Sequence, residues 1–145
     1  IKPGVPVVIS PQNPEAEQEL ARIAAERGSS LRRVEQDYAL SITSHSLGGQ
    51  ELTVSVRRGS PSRARSLANP ELSLHLPLLG AHQAQNARTA LGALDQVRAQ
   101  GLALSRMDIQ KGFGQVEWPA RFEILRQPRL RDLLMPGEEH EFWTT

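Results

Sequence analysis

The first part of the chain has a short predicted strand on each side of one amphipathic stretch. The β-branched run GVPVVI at residues 4–9 is typical of a buried strand, and residues 31–34, LRRV, are predicted to form a second short strand. Between them, apolar residues recur at helical spacing and predict a buried stripe: Ala16, Leu20, Ile23 and Ala24. Because a strand, a helix and a strand within about 34 residues match a βαβ unit, the two strands are predicted to be parallel.

Residues typical of helix ends flank the amphipathic stretch. Asn13 suits the N-cap and Pro14 the first helical position. Glu15 and Glu17 favour the positive end of the helix dipole, and Gly28 is typical of the position that ends a helix. We therefore expect the helix to begin at Pro14 and to end before Gly28.

The middle of the chain alternates apolar and polar residues. Residues 38–43, 52–56 and 72–76 show this pattern, with a turn at Gly48-Gly49 between the first two. A period of two with short turns is typical of antiparallel strands that have one wet face. His75 falls on the polar side of its strand and His45 has no ligand-spaced neighbour, so both are interpreted as surface residues.

The next pattern is helical again. We predict a helix from residue 81 to about residue 100, ended by Gly101, and a shorter one from Ser105 to about Phe113. The longer helix has an apolar stripe: Ala87, Ala90, Leu91, Leu94 and Val97. Ser105 as N-cap with Asp108 three residues later has the form of a capping box. A parallel crossover followed by antiparallel strands and helices predicts an α/β fold.

Regular patterning weakens towards the end of the chain. Pro119 breaks any helix, and residues 122–125 are interpreted as a strand. The last stretch, RQPRLRDLLMPGEEHEFWTT, has no clear period and contains an acidic run. We expect this tail, residues 126–145, to be poorly ordered.

Composition excludes several classes of protein. A length of 145 residues corresponds to one domain or a large part of one, and 39% hydrophobic with 23% charged residues indicates a soluble globular chain. A net charge of +1 argues against a nucleic-acid partner. The arginines among glycine, serine and proline are therefore interpreted as a solvated loop: Arg57, Arg58, Arg63 and Arg65. No apolar run approaches the roughly 20 residues of a membrane span.

The sequence lacks the residues and motifs of several familiar catalytic and metal-binding sites. The chain has no cysteine, which excludes disulfides and thiolate metal sites and permits the cytoplasmic location that we expect. It has no GxxxxGK[ST] loop, nucleophile elbow or HExxH helix, so we predict neither catalytic nor metal-binding residues here. The start Ile1-Lys2-Pro3-Gly4, without a methionine, is interpreted as that of a piece of a longer protein.

Three polar side chains gather at the start of the longer predicted helix. His82 and Asn86 share a helix face, as do Gln83 and Asn86, and all lie near free backbone N–H groups. The positive helix end suits an anion, and an amide has both the donor and the acceptor that an adenine edge requires. The alternative is that His82 and Gln83 cap the helix while Asn86 is an ordinary surface residue.

A second group of residues surrounds Trp118-Pro119, a rigid apolar turn. Arg121 follows it at the start of a predicted strand. An arginine there is suited to clamp a phosphate with two hydrogen bonds. An ion pair with Glu123 explains the residue equally well.

Three segments in order resemble the folylpolyglutamate synthase and dihydrofolate synthase family, which belongs to the ATP-dependent Mur ligase superfamily. They are IKPGVPVVIS at 1–10, LPLLGAHQAQNARTALGAL at 76–94 and GFGQVEWPARFEIL at 112–125. The resemblance implies that residues 1–125 are the C-terminal half of a central ATP-binding domain of the three-layer mononucleotide-binding type. Part of a parallel sheet with crossover helices and a small antiparallel sheet are expected there. Residues 126–145 depart from the family pattern.

The resemblance also implies an activity. Enzymes of this family use ATP and Mg²⁺ to add L-glutamate to folate or dihydropteroate through an acyl phosphate. By residue, it places Asn86 near the adenine and Arg121 near the ATP phosphates, with His82 and Gln83 in the same motif as Asn86. The family's P-loop and magnesium-associated lysine correspond to positions upstream of Ile1, and Lys2 does not take that role. The isolated chain is therefore expected to be inactive.

Two alternatives remain open at the level of sequence. The chain could belong to another Mur-type amide ligase, such as one that builds a peptidoglycan precursor, or it could be a non-catalytic α/β module that packs against a partner. Because half of a domain leaves strand edges unpaired, we expect self-association through such an edge in either case.

Overall fold

The computed structural model describes residues 1–60 and 66–118. Within these ranges it contains a two-stranded parallel sheet, a three-stranded antiparallel sheet and four helices. Several sequence predictions lie outside the described residues: Arg63, Arg65, Arg121, the strand at residues 122–125 and the tail at residues 126–145.

The predicted βαβ unit is confirmed. Strand β1 (Val7–Ile9) pairs in parallel with β2 (Leu31–Arg33), and helix α1 (Pro14–Glu26) connects them. The side chain of Asn13 caps α1 by accepting from the backbone N–H of Ala16 at 2.8 Å. The helix is therefore defined locally at its start, as the sequence predicted.

Helix α2 (Val34–Asp37) is a correction to the sequence prediction, which placed Val34 at the end of a strand. Val34 is fully buried in the core. Asp37, at the end of the turn, forms an ion pair with Arg32 at 2.8 Å and accepts from Ser60 Oγ at 2.6 Å. These contacts hold the chain in a helical turn, and none of them is visible in a four-residue pattern.

The three alternating segments form an antiparallel sheet in the order β3-β4-β5, as predicted. The strands are β3 (Tyr38–Ser46), β4 (Gly49–Val56) and β5 (Leu72–Leu76). The apolar side chains of β4 and β5 alternate into the core, while His75 and His45 are exposed, which confirms their interpretation as surface residues. His75 Nδ1 lies 2.6 Å from Glu51 Oε1 on the neighbouring strand.

Two further helices complete the described chain: α3 (Ala81–Ala99) and α4 (Arg106–Gly114). The predicted capping box of α4 is confirmed, because Ser105 Oγ accepts from the backbone N–H of Asp108 and the Asp108 carboxylate accepts from that of Ser105. Helix α4 packs along β5, and Gln110 Nε2 donates to the carbonyl of Ser73 at 2.9 Å.

The buried face of α3 differs from the predicted apolar stripe. Ala87 and Leu91 are buried as expected, but Val97 is 41% exposed. Polar residues occupy much of the buried face instead: Gln83, Arg88 and Asp95. Asp95 accepts from the hydroxyl of Tyr38 at 2.6 Å, and Arg88 donates to the carbonyl of Tyr38 at 3.4 Å. Partners on β3 therefore set the rotation of α3, which a count of apolar residues does not reveal.

The architecture confirms the predicted α/β class with a small parallel sheet, an antiparallel sheet and packed helices. The core lies between the antiparallel sheet and α3, where Tyr38, Leu52, Leu74 and Leu91 are among the most deeply buried side chains. Within the described ranges, none of the helices combines the length and apolar character needed to cross a membrane.

Candidate functional site

A glycine turn begins α3 and places the predicted site residues. Gly80 is the N-cap, with a φ of +105° that favours glycine. Its carbonyl accepts from the backbone N–H groups of Gln83 and Ala84 at 3.0 and 3.3 Å. A Cβ at position 80 would lie 2.8 Å from Cε1 of His82. The turn therefore brings the His82 ring close against the backbone at the helix start.

The structure brings two of the predicted residues together and separates the third. Asn86 Nδ2 donates to Gln83 Oε1 at 3.3 Å. Gln83 is only 4% exposed, whereas His82 and Asn86 are exposed. The two amides thus form a pair in which the buried one can orient the exposed one, and His82 lies beside Gly80.

A cavity of about 500 Å³ opens beside this amide pair, between α3, α4 and the end of β5. Its walls are apolar side chains from the two helices and the strand: Leu76, Ala87, Leu94, Ile109 and Phe113. Gln83 and Asn86 line it from α3, while Trp118, which is 56% exposed, also contributes to its lining. His82 is not among the lining residues.

The chemistry of the cavity suits a flat, weakly polar ring with a hydrogen-bonding edge. Apolar and aromatic walls with a few convergent polar groups are typical of small-molecule sites. An amide has two protons and a carbonyl oxygen, so Asn86 can donate to Gln83 and still pair with a ligand edge. The donor and acceptor pattern of adenine matches such an amide.

The cavity lies between a helix end that favours negative charge and a carboxylate that carries one. The first turn of α3 contains no acidic residue, so its N–H groups and helix dipole favour an anion there. Asp108 lines the cavity from α4, and its hydrogen bonds from Ser105 lower the pKa of its carboxyl. One negative charge therefore stays on the α4 side at neutral pH.

The sequence did not indicate every residue of this site. Ile109 and Phe113 lie four residues apart on α4, and this helical spacing was a signal for one shared face. The contribution of Trp118 to the same cavity depends on where the chain goes after α4, for which no local pattern exists. Arg121 lies outside the described residues, so the choice between a phosphate clamp and an ion pair with Glu123 stays a prediction.

No metal site is found in the described chain, where no group of three or more histidine, cysteine, aspartate or glutamate side chains could hold an ion. Glu138, Glu139 and His140, which lie close together in the acidic run near the end of the sequence, fall outside the described residues. The prediction that this chain supplies no metal ligand therefore stays a prediction for the chain as a whole.

Comparison with known proteins relates this fold to one group of enzymes. No protein-family model matches the chain, and no curated protein matches it. Among solved structures, a folylpolyglutamate synthetase from Lactobacillus casei is 26% identical, with a TM-score of 0.72 over 87% of this chain and 30% of its own. The Mycobacterium tuberculosis folylpolyglutamate synthase complexed with ADP is 25% identical, with a TM-score of 0.58 over 82% of this chain and 24% of its own.

A folylpolyglutamate synthase complex with AMPPCP and folate is similar as well. It is 27% identical, with a TM-score of 0.70, and the match covers 85% of this chain and 28% of that one. The resemblance to folylpolyglutamate synthases, first stated from three sequence segments, is confirmed in three dimensions. This chain spans less than a third of the length of these structures.

Proposed function

We propose that residues 1–125 form the C-terminal half of the central ATP-binding domain of a folylpolyglutamate synthase-like ligase, with residues 126–145 as a divergent tail. The observation that carries the proposal is the Gln83–Asn86 amide pair beside an apolar cavity at the start of α3. The similarity to structures that contain ADP or AMPPCP supports it.

Within this proposal Asn86 binds the adenine edge, and Gln83 orients the Asn86 amide through their hydrogen bond. The apolar walls contact the faces of the adenine, and Trp118 borders it. His82, beside the turn, contributes to the same end of the nucleotide, and Arg121 binds its phosphates. The N-terminal N–H groups of α3 add a favourable field for negative charge.

The complete reaction would require a longer protein. Such a ligase would transfer the γ-phosphoryl group of ATP to the carboxylate of folate or dihydropteroate, with release of ADP. The amine of L-glutamate would then attack the acyl phosphate, form the amide and expel inorganic phosphate. Mg²⁺ would stabilise the charge on the transferring phosphoryl group. Because we propose that the phosphate loop, the magnesium ligands and the glutamate site lie outside these 145 residues, we expect the isolated chain to bind nucleotide without turnover. We propose a cytoplasmic location for this protein.

The first test is a titration of the chain with Mg-ATP, followed by amide NMR shifts. The largest shifts should cluster at residues 80–90 and near Trp118. Asn86→Ala should weaken binding about tenfold, since one good hydrogen-bond pair to a ligand edge is worth that much. Gln96→Ala removes an amide from the same helix outside the cavity lining and should leave the affinity unchanged. Equal effects of the two variants, or no shifts at millimolar ATP, would contradict nucleotide binding at this site.

Tryptophan fluorescence provides an independent measurement. The chain contains two tryptophans, Trp118 and Trp143, so a Trp143→Phe variant reports on Trp118 alone. A nucleotide that enters the cavity should change this emission with the same midpoint as the NMR titration. Emission that does not change while the NMR shifts saturate would place the adenine elsewhere.

A further inference from the structure

One buried side chain from the antiparallel sheet holds the turn that begins α3. Gln50 lies near the start of β4, opposite Leu76 in the strand register, and is only 2% exposed. Its Nε2 donates to the carbonyl of Leu78 at 2.7 Å and to that of Gly80 at 3.2 Å. The amide thus connects β4 to both ends of the three-residue segment that leads into the helix.

The Gly80 carbonyl, which accepts one of these bonds, also takes part in the first hydrogen bonds of α3. That same oxygen accepts from the backbone N–H groups of Gln83 and Ala84 and so starts the hydrogen bonding of α3. As a glycine, the N-cap has no side chain to cap the helix. Gln50 does not replace an N-cap side chain, which would accept from the free N–H groups of the first turn. Instead it fixes from another element the position of the N-cap backbone itself. Loss of the Gln50 donors would take from the Leu78 carbonyl its bond at 2.7 Å, while the Gly80 carbonyl would keep its two helix donors. Because Gln50 is buried, this loss costs more than the loss of an exposed bond.

We infer that Gln50 is a positioning residue for the nucleotide-binding end of α3. It does not line the cavity, but it determines where the helix starts relative to the sheet. The side chains of Gln83 and Asn86 follow that start by three and six positions. Their place beside the cavity therefore depends on Gln50. This inference rests on the proposed function only where it concerns nucleotide.

The first experiment needs no nucleotide. Gln50→Met keeps the length of the side chain and removes the donors. Its expected result is about tenfold faster hydrogen exchange at the amides of Gln83 and Ala84, together with shifted side-chain NH₂ resonances of Gln83 and Asn86. The matched control is Gln110→Met, which removes a similar bond to the carbonyl of Ser73 on an exposed face. Unchanged exchange and resonances in Gln50→Met, or the same changes in both variants, would overturn the inference.

The second experiment measures Mg-ATP affinity of the same variants. Gln50→Met should weaken binding about tenfold with no loss in Gln110→Met, because a misplaced binding group loses most of its contribution. If the wild-type chain binds no nucleotide, the proposed function fails, yet the exchange and NH₂ measurements still decide whether Gln50 positions the helix. If the wild type binds and Gln50→Met binds equally well, the inference fails and the proposed function stands.

A more conservative substitution allows the same test if Gln50→Met does not fold. Gln50→Asn keeps an amide that water can bridge to the carbonyls, although it is one methylene shorter. It should fold and show smaller changes in the same direction at Gln83, Ala84 and Asn86. Wild-type exchange in Gln50→Asn together with wild-type NH₂ shifts would contradict a requirement for direct contact.

Discussion

Gly92 shows how one residue sets the distance between α3 and the elements beneath it. A Cβ at this position would lie 2.8 Å from Cγ1 of Val34 and 3.2 Å from Cγ1 of Val8. Real side chains do not tolerate the first of these separations without movement of the neighbour. Glycine is a poor helix former, so its presence in the middle of α3 is explained by this close approach and not by helix propensity.

Overpacking of a core costs about 1–3 kcal/mol, and the better helix propensity of alanine offsets up to about 1 kcal/mol of it. We therefore predict that Gly92→Ala lowers the free energy of unfolding by a net amount of up to about 2 kcal/mol. The control is Gly112→Ala on α4, where a Cβ meets nothing within 4 Å among the described residues. That change should raise stability by about 0.5–1 kcal/mol. Urea unfolding of both variants measures the difference, and a stabilised Gly92→Ala would refute the close-packing explanation.

At the scale of elements, the capping box of α4 couples this helix to pH. Hydrogen bonds from the Ser105 hydroxyl and backbone N–H hold the pKa of Asp108 below its ordinary value of 3.8. A lowered pKa in the folded protein means that the carboxylate form stabilises the fold. That stabilisation is fully present above the ordinary pKa and is lost as the pH falls through the lower folded value.

We expect an NMR titration of the Asp108 carboxyl to give a midpoint below 3.8, and amide exchange in the first turn of α4 to accelerate as the pH falls through it. Ser105→Ala should move the midpoint back up, because it removes the first cause of the shift. Asp108→Asn removes the titrating group and should abolish the pH dependence specific to this turn. A midpoint at or above the ordinary value would show that the box does not favour the carboxylate.

Helices α3 and α4 also differ in how they are held. The start of α4 is capped by its own residues, while the start of α3 depends on Gln50 from β4. The middle of α3 depends on Tyr38, whose pKa is raised by burial and by its hydrogen bond to Asp95. The candidate site therefore lies on a helix whose position is set by the sheet.

At the scale of the whole molecule, the parallel sheet is small. In the described ranges it consists of β1 and β2 alone, with three residues each. Strands this short rarely form a stable sheet edge in isolation, and open edges are templates for pairing with another chain. In the proposed ligase, the other half of the domain would cover this edge.

We accordingly predict that the 145-residue chain associates with itself at high concentration through the β1–β2 edge. Sedimentation velocity over a concentration series should show a rising average mass. Val5→Lys places a charge at an exposed position just before β1 and should reduce association, whereas Ser73→Lys on the antiparallel sheet should not. A sharply monomeric profile throughout the series would contradict the prediction, which both the ligase and the non-catalytic module share.

The sequence alone determined the features that depend on neighbours along the chain. The Asn13 cap, the strand β5 and the Ser105 capping box were predicted at the correct residues. Helix caps and strand alternation involve residues at most a few positions apart, so both patterns can be recognised in the sequence alone. The three family-like segments likewise indicated the folylpolyglutamate synthase resemblance, and they drew attention to Gln83 and Asn86.

Only the tertiary structure decided how these elements face one another. Contacts between positions far apart in the sequence determine the turn α2, the rotation of α3 and the hydrogen bonds of Gln50 to the start of α3. The bond from Tyr38 to Asp95, for example, spans 57 residues. A periodic pattern states which residues share a face but not which partner that face meets. Buried polar groups decide the partner, because each must find a hydrogen bond when water is excluded, and that condition is satisfied only in the assembled fold.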